Sequence, residues 1–189
     1  IFHSGDWKLD PYPLIGEAVS PKKLQNFVND GVDVMICDST NVFNSDPSGS
    51  ESDVRENLKE IFLKQKEGKI IITCFASNVA RVETILKVSK ESNKCCLLLG
   101  RSLQKIYELA KENNFLMEFN NIITEKEAEI IPDNDLVIIC TGSQGENRAA
   151  LSRLVNGRHR SLKLHQNDMV IFSSREIPGN EKKINLIKS

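Results

Sequence analysis

The sequence predicts an α/β fold: a doubly wound, mostly parallel sheet with helices on both faces. Two observations carry that reading. Five short runs, residues 32–37, 70–75, 94–99, 136–140 and 169–172, are rich in β-branched and aliphatic residues and show little alternation, as expected of strands covered on both faces. Segments with helical periodicity separate several of them, and repeated strand–helix alternation implies right-handed crossovers. The order of the strands is not legible from these patterns.

Taken in order, Phe2-His3-Ser4-Gly5-Asp6 reads as a short strand ending in a glycine turn, with a carboxylate straight after it. Residues 21–29 read as a helix with Gly31 as its stop. The run 32–37 delivers Asp38 at its end, and residues 44–52 are the most loop-like stretch of the chain. The segment 53–66 places Val54, Leu58, Ile61 and Phe62 on one helical face, and 79–89 does the same with Val82, Ile85 and Leu86. In 102–113 the stripe is Leu103, Ile106, Tyr107 and Ala110, with Ser102 expected to cap the N-terminus. Thr124-Glu125-Lys126-Glu127 opens a short helix with a capping-box pattern that Pro132 ends. Residues 146–155 read as a helix running to Gly157, and the last residues, 182–189, as the opening of another.

With 189 residues, 40% hydrophobic and 27% charged, the chain has the size and balance for one main α/β core. No apolar run approaches the roughly 18–20 residues of a membrane span, and no N-terminal stretch has signal-peptide architecture. A net charge of −1 excludes a globally basic nucleic-acid coat but leaves room for a local patch. The five cysteines, Cys37, Cys74, Cys95, Cys96 and Cys140, are odd in number and lack Cys-x-x-Cys spacing. They read as reduced core thiols rather than a disulfide framework or a zinc knot.

Several short motifs share one pattern. Besides Ser4-Gly5-Asp6 and Cys37-Asp38-Ser39-Thr40, the chain holds Phe75-Ala76-Ser77-Asn78, Gly100-Arg101-Ser102, Cys140-Thr141-Gly142-Ser143-Gln144-Gly145-Glu146 and Phe172-Ser173-Ser174-Arg175 followed by Ile177-Pro178-Gly179-Asn180. In content and order they resemble the ribonuclease J-like members of the metallo-β-lactamase/β-CASP nucleases. That family's His-x-His-x-Asp-His metal motif is missing, and the only histidines are His3, His159 and His165. The expectation is therefore an internal piece of a larger enzyme: residues 1–14 the end of a metallo-β-lactamase domain, residues 15–189 the β-CASP domain.

The resemblance implies metal-dependent hydrolysis of RNA phosphodiesters, as a 5′→3′ exonuclease, an endonuclease or both, in the cytoplasm. It implies single-stranded RNA and the rest of the metallo-β-lactamase domain as partners, a complete enzyme that can be a homo-oligomer, and no membrane. Asp6 would be the carboxylate shared by two divalent cations, usually zinc, with the other ligands outside this chain. Asp38 would orient a histidine or assist proton movement, a role that calls for a raised pKa. His3 matches none of the ligand histidines.

The residues themselves suggest how a phosphate backbone could be held. Gly142, Ser143, Gln144 and Gly145 join a strand end to a helix start, where backbone N–H groups can hold an anion. Arg101 and Ser102 repeat that arrangement and add a guanidinium, and Ser173, Ser174 and Arg175 stand at a further strand end. From Arg148 to His165 there is no acid, and Arg153, Arg158, His159, Arg160 and Lys163 fall between, a run able to follow RNA. Two other readings stay open: a stand-alone nucleotide- or anion-binding module, and a small-ester metallohydrolase of the same superfamily.

Overall fold

The computed structural model describes residues 1–189 except Asp30, Asn44 and Pro47, so the predicted loop 44–52 lies partly outside the described residues. The chain divides into two compact units, Ile1–Glu56 and Asn57–Ser189.

In the first unit β1 (Phe2–His3) pairs in parallel with β2 (Met35–Ile36), Phe2 opposite Met35 and His3 opposite Ile36. The two form a sheet of their own. That the first residues belong to a separate sheet agrees with the sequence reading, but placing 32–37 in the main sheet does not. Only two residues of that run are strand, and Met35 and Ile36 are 60% and 48% exposed. An apolar run by itself does not say which sheet receives it. Helix α1 (Pro21–Asn29) matches its predicted limits, and its Phe27 ring lies 5.9 Å from that of Phe2. Helix α2 (Glu51–Lys64) begins in this unit and continues into the next.

The second unit is built on β3 (Ile70–Thr73), β4 (Cys95–Leu99), β5 (Ile122–Ile123), β6 (Leu136–Cys140) and β7 (Met169–Phe172). Their order is β5-β4-β6-β3-β7, and every neighbouring pair is parallel. Strand β5 escaped the sequence reading because two isoleucines make no recognisable run. The connecting helices are α3 (Val79–Glu91), α4 (Arg101–Glu112), α5 (Glu125–Ala128) and α6 (Ala150–Val155), and α7 (Glu181–Lys188) ends the unit.

The connections β3-α3-β4 and β4-α4-β5 step toward one edge of the sheet, while those from β5 to β6 and from β6 to β7 step back. Right-handed crossovers then put α3 and α4 on one face and α5 and α6 on the other. The packing agrees. Ile71, Leu97, Leu99, Ile138 and Cys140 share a core with Ala128 of α5 and Ala150, Leu151 and Leu154 of α6. The alternate residues Ile70, Ile72, Cys96, Leu98, Val137 and Ile139 point the other way and are equally buried. On that side α3 contacts β4 and β6, with Val82, Ile85, Leu86 and Val88 buried. Both faces being covered explains why these strands lack alternation.

Three predicted details change. Helix α4 starts at Arg101 with Gly100 as its cap and no side-chain cap bond, so Ser102 sits inside the first turn. Helix α6 begins only at Ala150, leaving 146–149 as a turn. Cys37 is exposed and Cys95 half-buried, so only Cys74, Cys96 and Cys140 are core thiols. Burial pushes the Cys96 and Cys140 thiols up to about 12, which makes them unreactive.

Candidate functional site

Strands β4 and β6 are neighbours whose outgoing helices leave for opposite faces of the sheet, and such a switch opens a crevice beyond the strand ends. A cavity of about 570 Å³ lies there, lined by Gly100, Arg101 and Ser102 after β4 and by Thr141, Glu146, Arg148 and Arg153 after β6. Gly100 has a φ of +116° and stands with its Cβ position 3.4 Å from Thr141 Oγ1, which draws the two strand ends together. Among the described residues the guanidinium groups of Arg101, Arg148 and Arg153 take part in no hydrogen bond or ion pair. Three unpaired guanidiniums facing one crevice suit an anion with several oxygens.

The loop of Gly142, Ser143, Gln144 and Gly145 behaves differently from the sequence expectation. It is buried and does not sit at a helix start. Its Gln144 amide donates to Glu146 Oε2 at 3.0 Å and its Gly145 amide to the Gly142 carbonyl at 3.1 Å, so those two N–H groups already have acceptors. Gly142 and Gly145 answer close approaches: a Cβ on Gly142 would stand 2.9 Å from that of Ala149, and one on Gly145 2.6 Å from backbone and side chain of Lys183 in α7. The Gln144 side chain works as a latch. Its Nε2 donates to the Arg175 carbonyl at 2.9 Å and approaches Ser174 Oγ at 3.3 Å, while its Oε1 accepts from the Ile177 amide at 2.8 Å. Arg81 holds the same segment, donating to the Ser173 carbonyl at 2.7 Å and to its hydroxyl at 2.9 Å. Ser173, Ser174 and Arg175 are thus fixed at the end of β7 by the loop after β6 and by α3.

In the first unit the β1–β2 pairing brings the Ser4–Trp7 turn against Asp38. The Ser4 amide donates to the Ile36 carbonyl at 3.0 Å, and the Trp7 indole donates to the Asp38 carbonyl at 3.2 Å. Gly5, at a φ of +61°, supplies the left-handed turn. The Asp6 carboxylate is exposed and has no partner among the described residues. His3 accepts the Gly5 amide on Nδ1 at 3.0 Å, which fixes its ring beside the turn. Asp38 Oδ1 accepts the Thr40 hydroxyl at 2.5 Å and the Thr40 amide at 2.9 Å. These two donors hold the Asp38 carboxyl below its ordinary value, opposite to the direction that proton donation calls for.

One residue that sequence reasoning missed is Asp10. Its carboxylate accepts the Ser50 hydroxyl at 2.6 Å, the Glu51 amide at 2.9 Å and the Tyr12 amide at 2.9 Å, with Lys8 at 3.6 Å. Burial raises its pKa, but these partners outweigh burial and leave it at about 2. It ties the segment after Asp6 to the start of α2. A signal was present: Ser50-x-x-Asp53 spans the start of the helix, and Asp53 Oδ2 accepts the Ser50 amide at 2.8 Å, in the manner of a capping box.

The basic run is divided. Arg148 and Arg153 face the crevice, His159 is paired with Glu125 at 3.8 Å, and His165 lies at the opposite edge of the sheet. There Asp133, His165 and Asp168 converge, with ligand-type atoms within 4.8 Å of one another. Lys69 fills their centre: Nζ is 2.8 Å from Asp133 Oδ2, 3.0 Å from Asp168 Oδ2 and 3.2 Å from His165 Nδ1. Burial works against the Asp133 carboxylate, but Lys69 and His165 prevail and hold its pKa down. The cluster joins the starts of β3, β6 and β7 and already holds its cation, so it reads as an ion-pair lock rather than a metal centre.

Comparison with known proteins places these features. Residues 67–188 match the family model described as ribonuclease J, beta-CASP domain. The chain is 36% identical over its whole length to ribonuclease J of Sinorhizobium meliloti, covering 33% of that protein. It is 38% identical over 97% of its length to ribonuclease J of Mycolicibacterium smegmatis, again covering 33% of the relative. Against ribonuclease J of Corynebacterium glutamicum it is 37% identical over 97% of its length and covers 26%. The chain spans about a third of the length of the first two and about a quarter of the last. It belongs to the ribonuclease J family, with its five-stranded unit matching the beta-CASP domain.

Proposed function

We propose that the chain is part of a metal-dependent ribonuclease that hydrolyses RNA phosphodiesters in the cytoplasm, by 5′→3′ exonucleolytic or endonucleolytic attack. Residues 1–14 end its metallo-β-lactamase domain and residues 15–189 form its β-CASP domain. The observation that carries the reading is the juxtaposition of the Ser4–Trp7 turn and Asp38 at one end of the β1–β2 pair. An unpartnered carboxylate on a rigid turn fits a shared metal ligand, since its two oxygens can serve two cations.

Asp6 alone cannot hold a pair of zinc ions, so the remaining ligands come from the rest of the protein. Bound there, the metals would supply Lewis acidity for phosphodiester hydrolysis. Asp38, ionised and gripped by Thr40, suits the orientation of a neighbouring N–H donor better than proton delivery. The exposed Val34, Met35 and Ile36 suit burial against the remaining metallo-β-lactamase domain, because a two-stranded sheet does not stand alone. Arg101, Ser102 and Arg148 would hold phosphates of single-stranded RNA, with Ser173, Ser174 and Arg175 on a second strand end and the loop 142–145 supporting both. No helix among the described residues is long and apolar enough to cross a membrane. Assembly of the complete enzyme into a homo-oligomer belongs to the same reading.

The test compares the 189-residue chain, the complete protein and the complete protein with Asp6→Ala for metal content and cleavage of 5′-phosphorylated RNA. The isolated chain should be inert, and Asp6→Ala should lose metal and activity together. Chelator-sensitive turnover by the isolated chain, or full metal content in the variant, overturns the reading.

A further inference from the structure

A second hollow adjoins the arginine-lined crevice along α4. That hollow encloses about 280 Å³ and is lined by Leu97, Leu98, Tyr107, Ile122 and Ile123. Gln104 and Glu125 belong to both cavities. From Arg101 to Tyr107 the axis of α4 climbs roughly 9 Å at about 1.5 Å per residue, comparable with the reach of one nucleotide from phosphate to base. The two ends differ in chemistry as a nucleotide does. One offers three unpaired guanidiniums, and the other aliphatic walls and one aromatic ring.

We propose that the two hollows form a subsite for a single nucleotide, its phosphate held by Arg101, Arg148 and Arg153 and its base lodged beside Tyr107. Three of the polar side chains around the base, Gln104, Glu108 and Glu125, present acceptor oxygens. Gln104 Nε2 donates to the Leu98 carbonyl at 3.1 Å, which anchors the amide and leaves its Oε1 open to accept. Glu108 and Glu125 add carboxylates at the rim. Such a set favours a base that presents adjacent N–H donors, and guanine, with N1–H beside its exocyclic amine, presents them best. Uracil, with two carbonyls and one N–H, fits worst. Lys111 stands 5.6 Å from the Tyr107 ring centre and steadies the ring. The proposal rests on the reading that this edge of the sheet faces RNA, and it adds a base preference to a contact otherwise blind to sequence.

The experiment uses the complete protein carrying Asp6→Ala, to prevent cleavage, and measures binding of GMP, UMP, inorganic phosphate and a single-stranded RNA by calorimetry. GMP should bind at least about tenfold more tightly than UMP or phosphate, in line with the energy of base–aromatic stacking. Tyr107→Ala should remove most of that advantage and leave phosphate binding unchanged, Tyr107→Phe should retain it, and Arg153→Gln should weaken GMP and phosphate alike. Equal binding of GMP and phosphate, or a Tyr107→Ala protein with undiminished GMP affinity, overturns the subsite. If GMP behaves as stated while RNA affinity ignores Arg101→Gln, the subsite stands and the RNA-facing reading falls. If Arg101→Gln weakens RNA but GMP binds no better than phosphate, the RNA reading stands and the subsite falls.

Discussion

Replacing Asp10 with Asn should loosen the start of α2 at neutral pH and do progressively less in acid. The Asp10 side chain is 14% exposed and is held by three donors and Lys8. A carboxyl moved from 3.8 to about 2 contributes about 2 kcal/mol when ionised, at about 1.4 kcal/mol per tenfold change in acidity. The sign follows from the depressed value. The contribution is complete above the unfolded pKa and is lost as pH falls from about 4 through about 2. Asn keeps the size but turns one acceptor into a donor and removes the charge. Hydrogen exchange reports the effect directly, because the Glu51 amide donates to Asp10 Oδ2. At pH 7 that amide should exchange roughly thirtyfold faster in the variant, and the ratio of variant to parent should shrink toward one as pH approaches 2. A ratio near one at pH 7, or one that holds constant down to pH 2, would refute the assignment of this carboxylate as the clamp.

Asp38→Asn in the complete enzyme should leave metal content near normal and cut turnover by at least about tenfold, by releasing the N–H donor that the carboxylate orients; unchanged turnover would reduce Asp38 to a strand-end cap for Thr40. Replacing Arg148 and Arg153 with Gln should flatten the log–log salt dependence of RNA binding by roughly 0.7 per lost phosphate contact, and unchanged slopes would put the RNA path elsewhere on the domain. Lys69→Met should destabilise the five-stranded unit by about 3–5 kcal/mol, because Asp168, 2% exposed, loses its buried cation. Adding Asp168→Asn should recover part of that loss in denaturant unfolding, and no recovery would mean the lock is not electrostatic.

What the sequence disclosed and what it hid divide along one physical line. The core strands and helices α1, α3 and α4 were legible because their apolar spacing is local, and so was the capping box at Thr124, where Glu127 Oε2 accepts the Thr124 amide at 2.7 Å. The crevice was not, because it depends on β4 and β6 being neighbours, and that adjacency is made by residues some forty positions apart. Arg101 and Arg148 were picked out from separate motifs, yet only the strand order brings them to one cavity and adds Arg153. The same cause explains where the local geometry differs from the sequence reading. Gly142-Ser143-Gln144-Gly145 has the composition of an anion loop, and in the structure its glycines also answer packing against α6 and α7 and its Gln144 ties the loop after β6 to the end of β7. A short glycine motif records that backbone comes close to something; whether that something is a ligand or another part of the chain is decided by topology. Here Gly100 stands at the mouth of the open crevice and Gly145 is closed off by Lys183, so two similar motifs at neighbouring strand ends serve a cavity in one case and a clamp in the other.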